Sequence, residues 1–184
     1  TTLSGPRIGK VRRVPIARKL MMHAVEETLK KYPNREIVIH FPDKGSRERY
    51  YRSCFVKVRT DTLKTHGVTI HATWGDKTRI DREPVEFHGV FGETKYINEA
   101  CMISFDDEGA TFTTNLETYN EVASFNPFKF SCAVVHLVAC GNAATKIANS
   151  PIDHIFATDS IPINHRPELL NLVRCGRISI LSWL

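Results

Sequence analysis

The apolar positions of the chain follow two different periods. Near the N-terminus they recur at helical spacing, at Ile16, Leu20, Met21, Ala24, Val25 and Leu29. Pro15 suits the first turn of a helix and Pro33 ends the pattern. The spacing predicts an amphipathic helix over roughly residues 15 to 31.

After this helix, the apolar residues alternate with a period of two. The alternating segments are "REIVIHF", "YYRSCFVKVRT", "GVTIHATW", "PVEFHGVF", "KYINEACMISF", "ATFTT" and "FKFSCAVVHLVAC". Turn-forming stretches such as "PDKG" and "DDEG" separate them, so Asp106 to Gly109 is interpreted as a hairpin turn. The pattern predicts an α+β protein with a mainly antiparallel β-sheet or a barrel-like core.

The C-terminal third departs from this alternation. "RPELLNLVR" predicts a short helix that Gly176 ends, and the tail "RISILSWL" predicts a final strand or an apolar anchor. Residues 141 to 165 are the longest stretch expected to be irregular. The domain prediction is a basic flexible arm over residues 1–14 and a single globular β-rich domain over residues 15–184.

Composition is consistent with a folded protein outside the membrane. The chain has 184 residues, of which 42% are hydrophobic, so it can bury a sizeable core. No run of about 18 apolar residues is present to span a bilayer, and the N-terminal sequence lacks the apolar segment of a secretory signal. The five cysteines are scattered and contain no C-x-x-C pair, which favours reduced thiols buried in the core.

Positive charge is concentrated at the N-terminus. The formal net charge is +5, and six cations precede Glu26, the first acid: Arg7, Lys10, Arg12, Arg13, Arg18 and Lys19. The rest of the chain is nearly neutral. This polarity predicts an anionic partner, either nucleic-acid phosphate or an acidic lipid surface. A solvated, flexible terminus is the alternative.

A second group of cations is mixed with aromatic residues in "RERYYRSCFVKVRT". If this segment is a strand, one face carries Tyr51, Phe55, Lys57 and Arg59. Rings that stack on bases and cations that contact phosphates suit single-stranded nucleic acid, and they also suit the headgroups of an anionic leaflet. A solvated outer face is the alternative. The predicted second binding patch consists of Lys44, Arg47, Arg49, Lys57 and Arg59.

Two groups of residues could bind a metal, and simpler interpretations are preferred for both. Cys132, His136 and Cys140 are four residues apart, which along a strand separates neighbours by about 13 Å, too far for one zinc ion. Asp81, Glu83 and Glu86 beside Lys77 could hold a divalent ion in a nuclease, but a polar turn explains the first two.

Two sequence motifs that are common in enzymes are also absent. Neither a nucleophile-elbow motif nor a phosphate-binding glycine loop is present. No catalytic residue, metal site, cofactor or small-molecule substrate is therefore predicted. A binding or assembly protein is favoured over an enzyme.

Four segments in this order resemble the matrix proteins of rhabdoviruses. They are the basic, aromatic "RERYYRSCFVKVRT", then "HATWGDK", "FHGVFGETKYI" and "NPFKFSCAVVHLV", and together they cover roughly residues 47 to 138. The late-domain motifs P-P-x-Y and P-T/S-A-P are absent, and the long helix before the first strand is a further departure.

The resemblance implies a structural protein without catalytic activity. It would self-associate into a homo-oligomer or lattice and link a viral nucleocapsid or its RNA to an anionic membrane surface. It would be found in the virion, in the host cytoplasm and at the inner face of the membrane. Alternatives are a viral coat or movement protein, another nucleic-acid-binding β-domain, or a metal-dependent nuclease.

Overall fold

The computed structural model describes residues 15–78 and 86–182. Its strands are β1 (Ile37–Phe41), β2 (His71–Thr78), β3 (Glu86–Gly92), β4 (Cys101–Glu108), β5 (Lys129–His136), β6 (His154–Thr158) and β7 (Ile178–Leu181). Its α-helices are α1 (Ile16–Lys31), α2 (Lys44–Tyr50), α3 (Val56–His66), α4 (Thr113–Ala123), α5 (Ala143–Ala148) and α6 (Pro167–Arg174). A π-helical turn, Tyr51–Phe55, joins α2 to α3, and a 3-10 turn, Thr94–Tyr96, precedes β4.

The strands form one seven-stranded sheet in the order β3-β2-β1-β4-β5-β6-β7. Every neighbouring pair is parallel except β2 and β3, which run antiparallel. The prediction of a mainly antiparallel sheet or barrel is therefore wrong. All five residues of β1 are buried, as are the first five of β4, and such continuous burial is typical of parallel strands covered on both faces.

Helices cover both faces of the sheet. On one face α1, α2 and α3 pack over it, and the buried cluster there includes Leu20, Phe55 and Phe105. On the other face α4, α5 and α6 pack over it, and their core includes Val122 and Leu169. The result is a doubly wound α/β architecture with three layers.

The segment of residues 47 to 60 is helical, so the prediction of an aromatic and basic strand there is wrong. Tyr50, Cys54 and Val58 are buried, whereas Arg52 and Val56 between them are exposed. A spacing of four fits both a strand with period two and a helix with period 3.6, and the strand interpretation relied on this coincidence.

Two further segments differ from their predictions. The predicted hairpin at residues 106 to 109 is the end of β4 and the start of a loop, and the predicted strand "ATFTT" leads into α4. The region from 141 to 165, expected to be irregular, contains α5 and β6. In both segments the prediction lacked a helix, α4 or α5, that lies between two strands of the sheet. Parallel neighbouring strands need such a crossover helix to connect them.

Other predictions correspond to observed elements. The helices expected at residues 15 to 31 and after Pro167 are present as α1 and α6. Cys54, Cys101 and Cys132 are buried, but Cys140 and Cys175 are exposed, so the prediction of core thiols is wrong for those two. Within the described ranges, none of the helices combines the length and apolar character needed to cross a bilayer. The predicted arm, residues 1–14, lies outside the described residues.

Candidate active site

The topology creates a crevice at the carboxyl edge of the sheet. From β1 the chain crosses to β2 on one side, while β4 lies on the other side of β1 and leads on to β5. The loops after β1 and β4 therefore diverge, and ligands of open α/β sheets bind at such switch points. We call this crevice the carboxyl-edge cleft.

One wall of the cleft is the start of α2. The Asp43 side chain caps this helix by accepting from the Ser46 backbone N–H at 2.8 Å, and the Ser46 hydroxyl faces the Asp43 N–H in return. On the neighbouring β2, a Cβ on Gly75 would lie 2.8 Å from the Pro42 carbonyl oxygen. Only glycine lets β2 approach the β1 turn this closely.

The opposite wall is the end of β4. Its last three residues are Asp106, Asp107 and Glu108, and the Asp107 carboxylate forms an ion pair with Arg49 of α2. This pair joins the two walls of the cleft. Beneath it, the ring of Tyr50 packs edge-on against Phe105 at 5.1 Å, and burial raises the pKa of the Tyr50 hydroxyl.

The loop after β4 is held by backbone hydrogen bonds to the loop after β5. The Gly109 N–H donates to the His136 carbonyl at 2.9 Å, and the Ala139 N–H donates to the Gly109 carbonyl at 2.7 Å. The Cys140 N–H donates to the Ala110 carbonyl at 2.9 Å. These bonds fix the backbone path into α4.

The amino end of α4 opens into the cleft. Phe112 occupies the N-cap position with φ of 57°, and no side chain caps the first turn. The unpaired N–H groups of such a turn attract anions. Lys146 adds a cation there, because its Nζ donates to the Thr113 hydroxyl at 2.8 Å. Asn115 is buried, and its Nδ2 has no hydrogen-bond partner among the described residues.

The end of β4, the loop after it and the start of α4 surround a cavity of about 320 Å³, lined by Asp106, Asp107, Glu108, Ala110, Thr111, Phe112, Thr114 and Asn115. Its volume is at the small end of the range of ligand pockets. One side presents carboxylates, which accept hydrogen bonds from hydroxyl groups. The other side presents hydroxyls and helix N–H groups, which donate to anions. The arrangement suits a ligand that carries both hydroxyl groups and a phosphate.

The structure separates the eleven cations that the sequence groups as binding residues. Lys44, Arg47 and Arg49 lie on α2 beside the cleft, where the Arg47 guanidinium stacks on Trp74 at 3.9 Å. Lys57 and Arg59 lie on α3, and Arg59 pairs with Glu93 at 3.2 Å.

The remaining six cations lie at the N-terminus. Arg18 and Lys19 lie in the first turns of α1, and Arg7, Lys10, Arg12 and Arg13 lie outside the described residues. An anion-binding role for these side chains stays a prediction.

Sequence reasoning missed the acids and the helix start that form the cleft. Asp106 and Asp107 follow the run "CMISF", which is buried throughout, and Gly109 and a threonine-rich helix start come next. A buried apolar run followed by acids, glycine and hydroxyl residues is typical of a strand, a ligand-binding loop and a helix. That signal was available in the sequence.

Among the residues it describes, the structure gives no evidence for a metal site at either of the two residue groups considered from the sequence. Cys132 is buried and His136 is exposed at the end of β5, where its Nδ1 lies 2.8 Å from the Ser160 hydroxyl. The side chains of Lys77 and Glu86 and all of residues 79–85, including Asp81 and Glu83, lie outside the described part of the chain. Within residues 15–78 and 86–182, no group of three metal-ligating side chains is present.

Removing the cap of α2 should destabilise the protein without unfolding it. Asp43→Ala is expected to lower the free energy of unfolding by about 1 kcal/mol, because the Ser46 N–H loses its acceptor. Urea denaturation followed by circular dichroism would measure this. Asp43→Asn, which retains an acceptor oxygen, should stay within about 0.5 kcal/mol of the wild type, since asparagine caps as well as aspartate. Equal losses in both variants would contradict the capping role.

The comparisons with known proteins identify the fold of the chain. The chain has a phosphoribosyltransferase-type α/β fold. Phosphoribosylpyrophosphate synthetase from Mycobacterium smegmatis superimposes with a TM-score of 0.62 at 20% identity, over 90% of this chain and 46% of that one. Hypoxanthine phosphoribosyltransferase from Trypanosoma cruzi, in complex with the product IMP, gives a TM-score of 0.50 at 11% identity, over 69% of this chain and 70% of that one.

The relatives found by sequence similarity are named ribose-phosphate pyrophosphokinases. Ribose-phosphate pyrophosphokinase 2 of Archaeoglobus fulgidus is 29% identical over 132 residues, which are 71% of this chain and 43% of the relative. Ribose-phosphate pyrophosphokinase of Ralstonia nicotianae is 29% identical over 107 residues, 58% of this chain and 31% of the relative. The chain thus matches less than half the length of these relatives. No model of a protein family matches it.

These findings overturn the functional predictions made from the sequence. The resemblance to viral matrix proteins is wrong, because the relatives are named ribose-phosphate pyrophosphokinases and the fold is that of a phosphoribosylpyrophosphate synthetase. The predictions of a structural protein without catalytic activity and without a small-molecule substrate are wrong, since the relatives are enzymes named for ribose phosphate. The predicted nucleocapsid and membrane partners and the virion location are wrong for the same reason.

Proposed function

We propose that the carboxyl-edge cleft binds a phosphorylated ribose and that the chain takes part in enzymatic phosphoribosyl pyrophosphate chemistry. One observation carries the proposal. The end of β4 presents carboxylates directly opposite the uncapped amino end of α4, within one cavity of about 320 Å³. A sugar phosphate carries the two complementary groups.

The phosphate is placed at the amino end of α4. Its oxygens would accept hydrogen bonds from the N–H groups of the first turn, because no side chain caps that turn. They would also accept hydrogen bonds from the hydroxyl groups of Thr111 and Thr114, which line the cavity. Lys146 lies behind Thr113 and supplies a positive charge. A dianionic phosphate is favoured here by both the helix dipole and this lysine.

The sugar is placed at the end of β4. Ribose hydroxyls donate hydrogen bonds, and carboxylates are their strongest acceptors. Asp106 and Asp107 line the cavity, and the ion pair between Asp107 and Arg49 fixes the direction of that carboxylate. The backbone also holds Asp106, because the Asp107 N–H donates to its Oδ1 at 2.9 Å.

The cations of α2 support a second anionic group on the ligand. Lys44 is the first residue of α2 and Arg47 lies in its last turn, and the helix follows β1 at the switch point. The stacking of Arg47 on Trp74 holds the guanidinium in place with little loss of side-chain entropy on binding. A pyrophosphate or a nucleotide phosphate would be attracted to this wall of the cleft.

The relatives indicate which chemistry uses such a ligand. A ribose-phosphate pyrophosphokinase is named for placing pyrophosphate on ribose phosphate, and the chain resembles two such enzymes in sequence. In that reaction, the residues described above would bind and orient the sugar phosphate and neutralise the charge of the incoming phosphates. These are the tasks that positioning side chains perform in phosphoryl-group transfer.

Binding of ribose 5-phosphate tests the proposal directly. Isothermal titration calorimetry of the wild type should show saturable binding, and Asp106→Asn should weaken it about tenfold, because a charge-assisted hydrogen bond is worth about 1.5 to 3 kcal/mol. Ribose without the phosphate should bind more weakly than ribose 5-phosphate, since it cannot use the amino end of α4.

Glu117→Gln provides a matched control. Glu117 lies exposed on α4 and does not line the cavity, and the substitution removes the same single charge. It should leave the affinity for ribose 5-phosphate unchanged. Absence of binding to the wild type, or an equal loss in both variants, would overturn the assignment of this site.

A further inference from the structure

A second cavity lies at the opposite, amino edge of the sheet. It has a volume of about 330 Å³ and is formed between the end of α1 and the amino ends of β4, β5, β6 and β7. We call it the amino-edge cleft and define it by Lys31, Tyr32, Cys101, Lys129, Ser131 and Phe156. None of these residues belongs to the carboxyl-edge cleft.

Ser131 contributes a hydroxyl group to the wall of this cleft. Ser131 lies on β5, on the face covered by α1, and only 9% of the residue is exposed. Its hydroxyl forms no hydrogen bond with any described residue, although it lines the cavity. Because this hydroxyl lines the cavity and can both donate and accept, it is available for a hydrogen bond with a polar atom of a ligand.

Two half-buried polar side chains of the cleft, Asp153 and His154, already have hydrogen-bond partners. The Asp153 carboxylate accepts from Lys129 Nζ at 2.6 Å and from the Phe130 N–H at 3.0 Å. His154 Nδ1 lies 3.0 Å from the Gly176 carbonyl oxygen and therefore carries the proton, while its Nε2 accepts from the Ser179 hydroxyl at 2.8 Å. Burial lowers the pKa of His154, so the ring is a neutral wall of the cleft.

The apolar part of the cleft is largely aromatic. Phe156 is 5% exposed and packs against the ring of His154 at 4.5 Å, and Tyr32 faces the cavity from the end of α1. Burial raises the pKa of the Cys101 thiol to about 11, which keeps this side chain uncharged. Flat aromatic walls and a neutral thiol favour a planar, apolar ligand body.

The rim of the cleft carries an excess of positive charge. Lys30 pairs with Glu27, and Lys129 pairs with Asp153, both at 2.6 Å. Lys31 has no carboxylate within ion-pair distance among the described residues, and its Nζ lies 5.3 Å from the centre of the Tyr32 ring. One cation therefore remains available beside an aromatic wall, which is suited to a single acidic group on a ligand.

We propose that the amino-edge cleft binds a small aromatic anion, with its ring between Tyr32 and Phe156, its acidic group at Lys31 and a polar substituent at Ser131. The acidic group can be a carboxylate or a phosphate, because Lys31 offers a point charge that does not distinguish their shapes. The site is independent of the carboxyl-edge cleft and needs no ribose.

Nuclear magnetic resonance can test this with four probes. The probes are benzoate, phenyl phosphate, the neutral benzyl alcohol and inorganic phosphate, added to the 15N-labelled chain of residues 1–184 with ribose 5-phosphate present throughout. Benzoate or phenyl phosphate should shift the amide signals of Lys31, Ser131 and Gly176 in a saturable way, with Kd of about 1 mM or lower. Benzyl alcohol should bind at least about fivefold more weakly, since it lacks the charge that faces Lys31. Inorganic phosphate should leave these signals unshifted.

Three variants separate a specific site from general attraction. Lys31→Gln should weaken benzoate or phenyl phosphate about fivefold, and Ser131→Ala about two- to tenfold, the range expected for one neutral hydrogen bond. Lys64→Gln is the matched control, because Lys64 is an exposed lysine in the last turn of α3 without an ion pair among the described residues.

Several results would overturn the proposal. They are the absence of saturable binding by both anions, equal affinity for benzyl alcohol, or an equal loss in Lys64→Gln and Lys31→Gln. Shifts confined to the carboxyl edge would also overturn it. Preference for one anion over the other identifies the acidic group of the ligand. Because none of the probes contains ribose, failure here leaves the proposed binding of ribose 5-phosphate unaffected.

Discussion

Phe105→Ala is expected to lower the free energy of unfolding by about 3 to 5 kcal/mol, the cost of truncating a fully buried phenylalanine. Phe105 is 0% exposed and lies in β4, one of the central strands of the sheet. Its ring packs edge-on against Tyr50 at 5.1 Å, and it belongs to the core beneath α1, α2 and α3. The substitution leaves a cavity that these helices cannot close without moving.

Chemical denaturation would measure this loss. Urea unfolding monitored by circular dichroism should show a lower midpoint with an unchanged slope, which identifies a change in stability and not in the surface exposed on unfolding. Phe91→Ala is the control, because Phe91 is 44% exposed on the edge strand β3, and it should change the stability by less than about 1 kcal/mol. Similar losses for the two variants would contradict the assignment of β4 to the core.

Some elements could be predicted because their signals are local. The helical spacing between Pro15 and Pro33 identifies α1, and Pro167 followed by Gly176 identifies α6. The segments that form β1, β2, β3, β4, β5 and β7 also overlap predicted strands. The alternation of apolar and polar residues does not reveal whether a neighbouring strand is parallel or antiparallel, because both kinds of partner bury the same side chains.

The direction of the strands depends on the helices between them, and the sequence pattern did not predict four of these, α2, α3, α4 and α5. In α2 and α3 the buried residues Tyr50, Cys54 and Val58 follow a spacing that a strand also allows. The start of α4 has no capping side chain, so residues 110 to 114 lacked the usual signal of a helix start. Without these helices, adjacent strands were joined by turns, and the sheet became antiparallel.

The error in function came from the same source. The resemblance to matrix proteins was based on four strand-like segments in order, and the first of them is helical. Arg47 and Arg49 were selected as anion-binding residues on the wrong element, yet they lie beside the cleft. An anion-binding role for these cations stays a prediction, and the fold adds that Arg49 forms an ion pair with a carboxylate at the end of β4.

The backbone of the loop after β4 should be the most sensitive part of the candidate active site. A Cβ added to Gly109 would lie 2.8 Å from Cζ of Phe112 and 3.2 Å from Cγ2 of Val134. Phe112 is 2% exposed and holds the N-cap position of α4, so a shift of its ring displaces the first turn. Gly109→Ala is therefore expected to weaken ribose 5-phosphate binding about a hundredfold, equivalent to two hydrogen bonds to a charged group.

The effect on stability should be smaller than the effect on binding. Overpacking of this kind costs about 1 to 3 kcal/mol, and the loop can move toward the solvent to relieve part of it. Gly67→Ala is a suitable control, because Gly67 has φ of 67° and an added Cβ would meet no atom within 4 Å. It should cost about 1 kcal/mol in stability through backbone strain alone and leave ribose 5-phosphate affinity unchanged.

A double variant distinguishes steric displacement from a general loss of loop order. In Gly109→Ala with Phe112→Leu, the shorter side chain removes the ring atoms that the new methyl group would contact. Ribose 5-phosphate affinity should then recover by at least about tenfold relative to Gly109→Ala, a coupling within the range found for residues in contact. Calorimetry on the two single variants and the double variant completes the cycle. Additive losses would show that the ring of Phe112 does not transmit the effect of residue 109 to the amino end of α4.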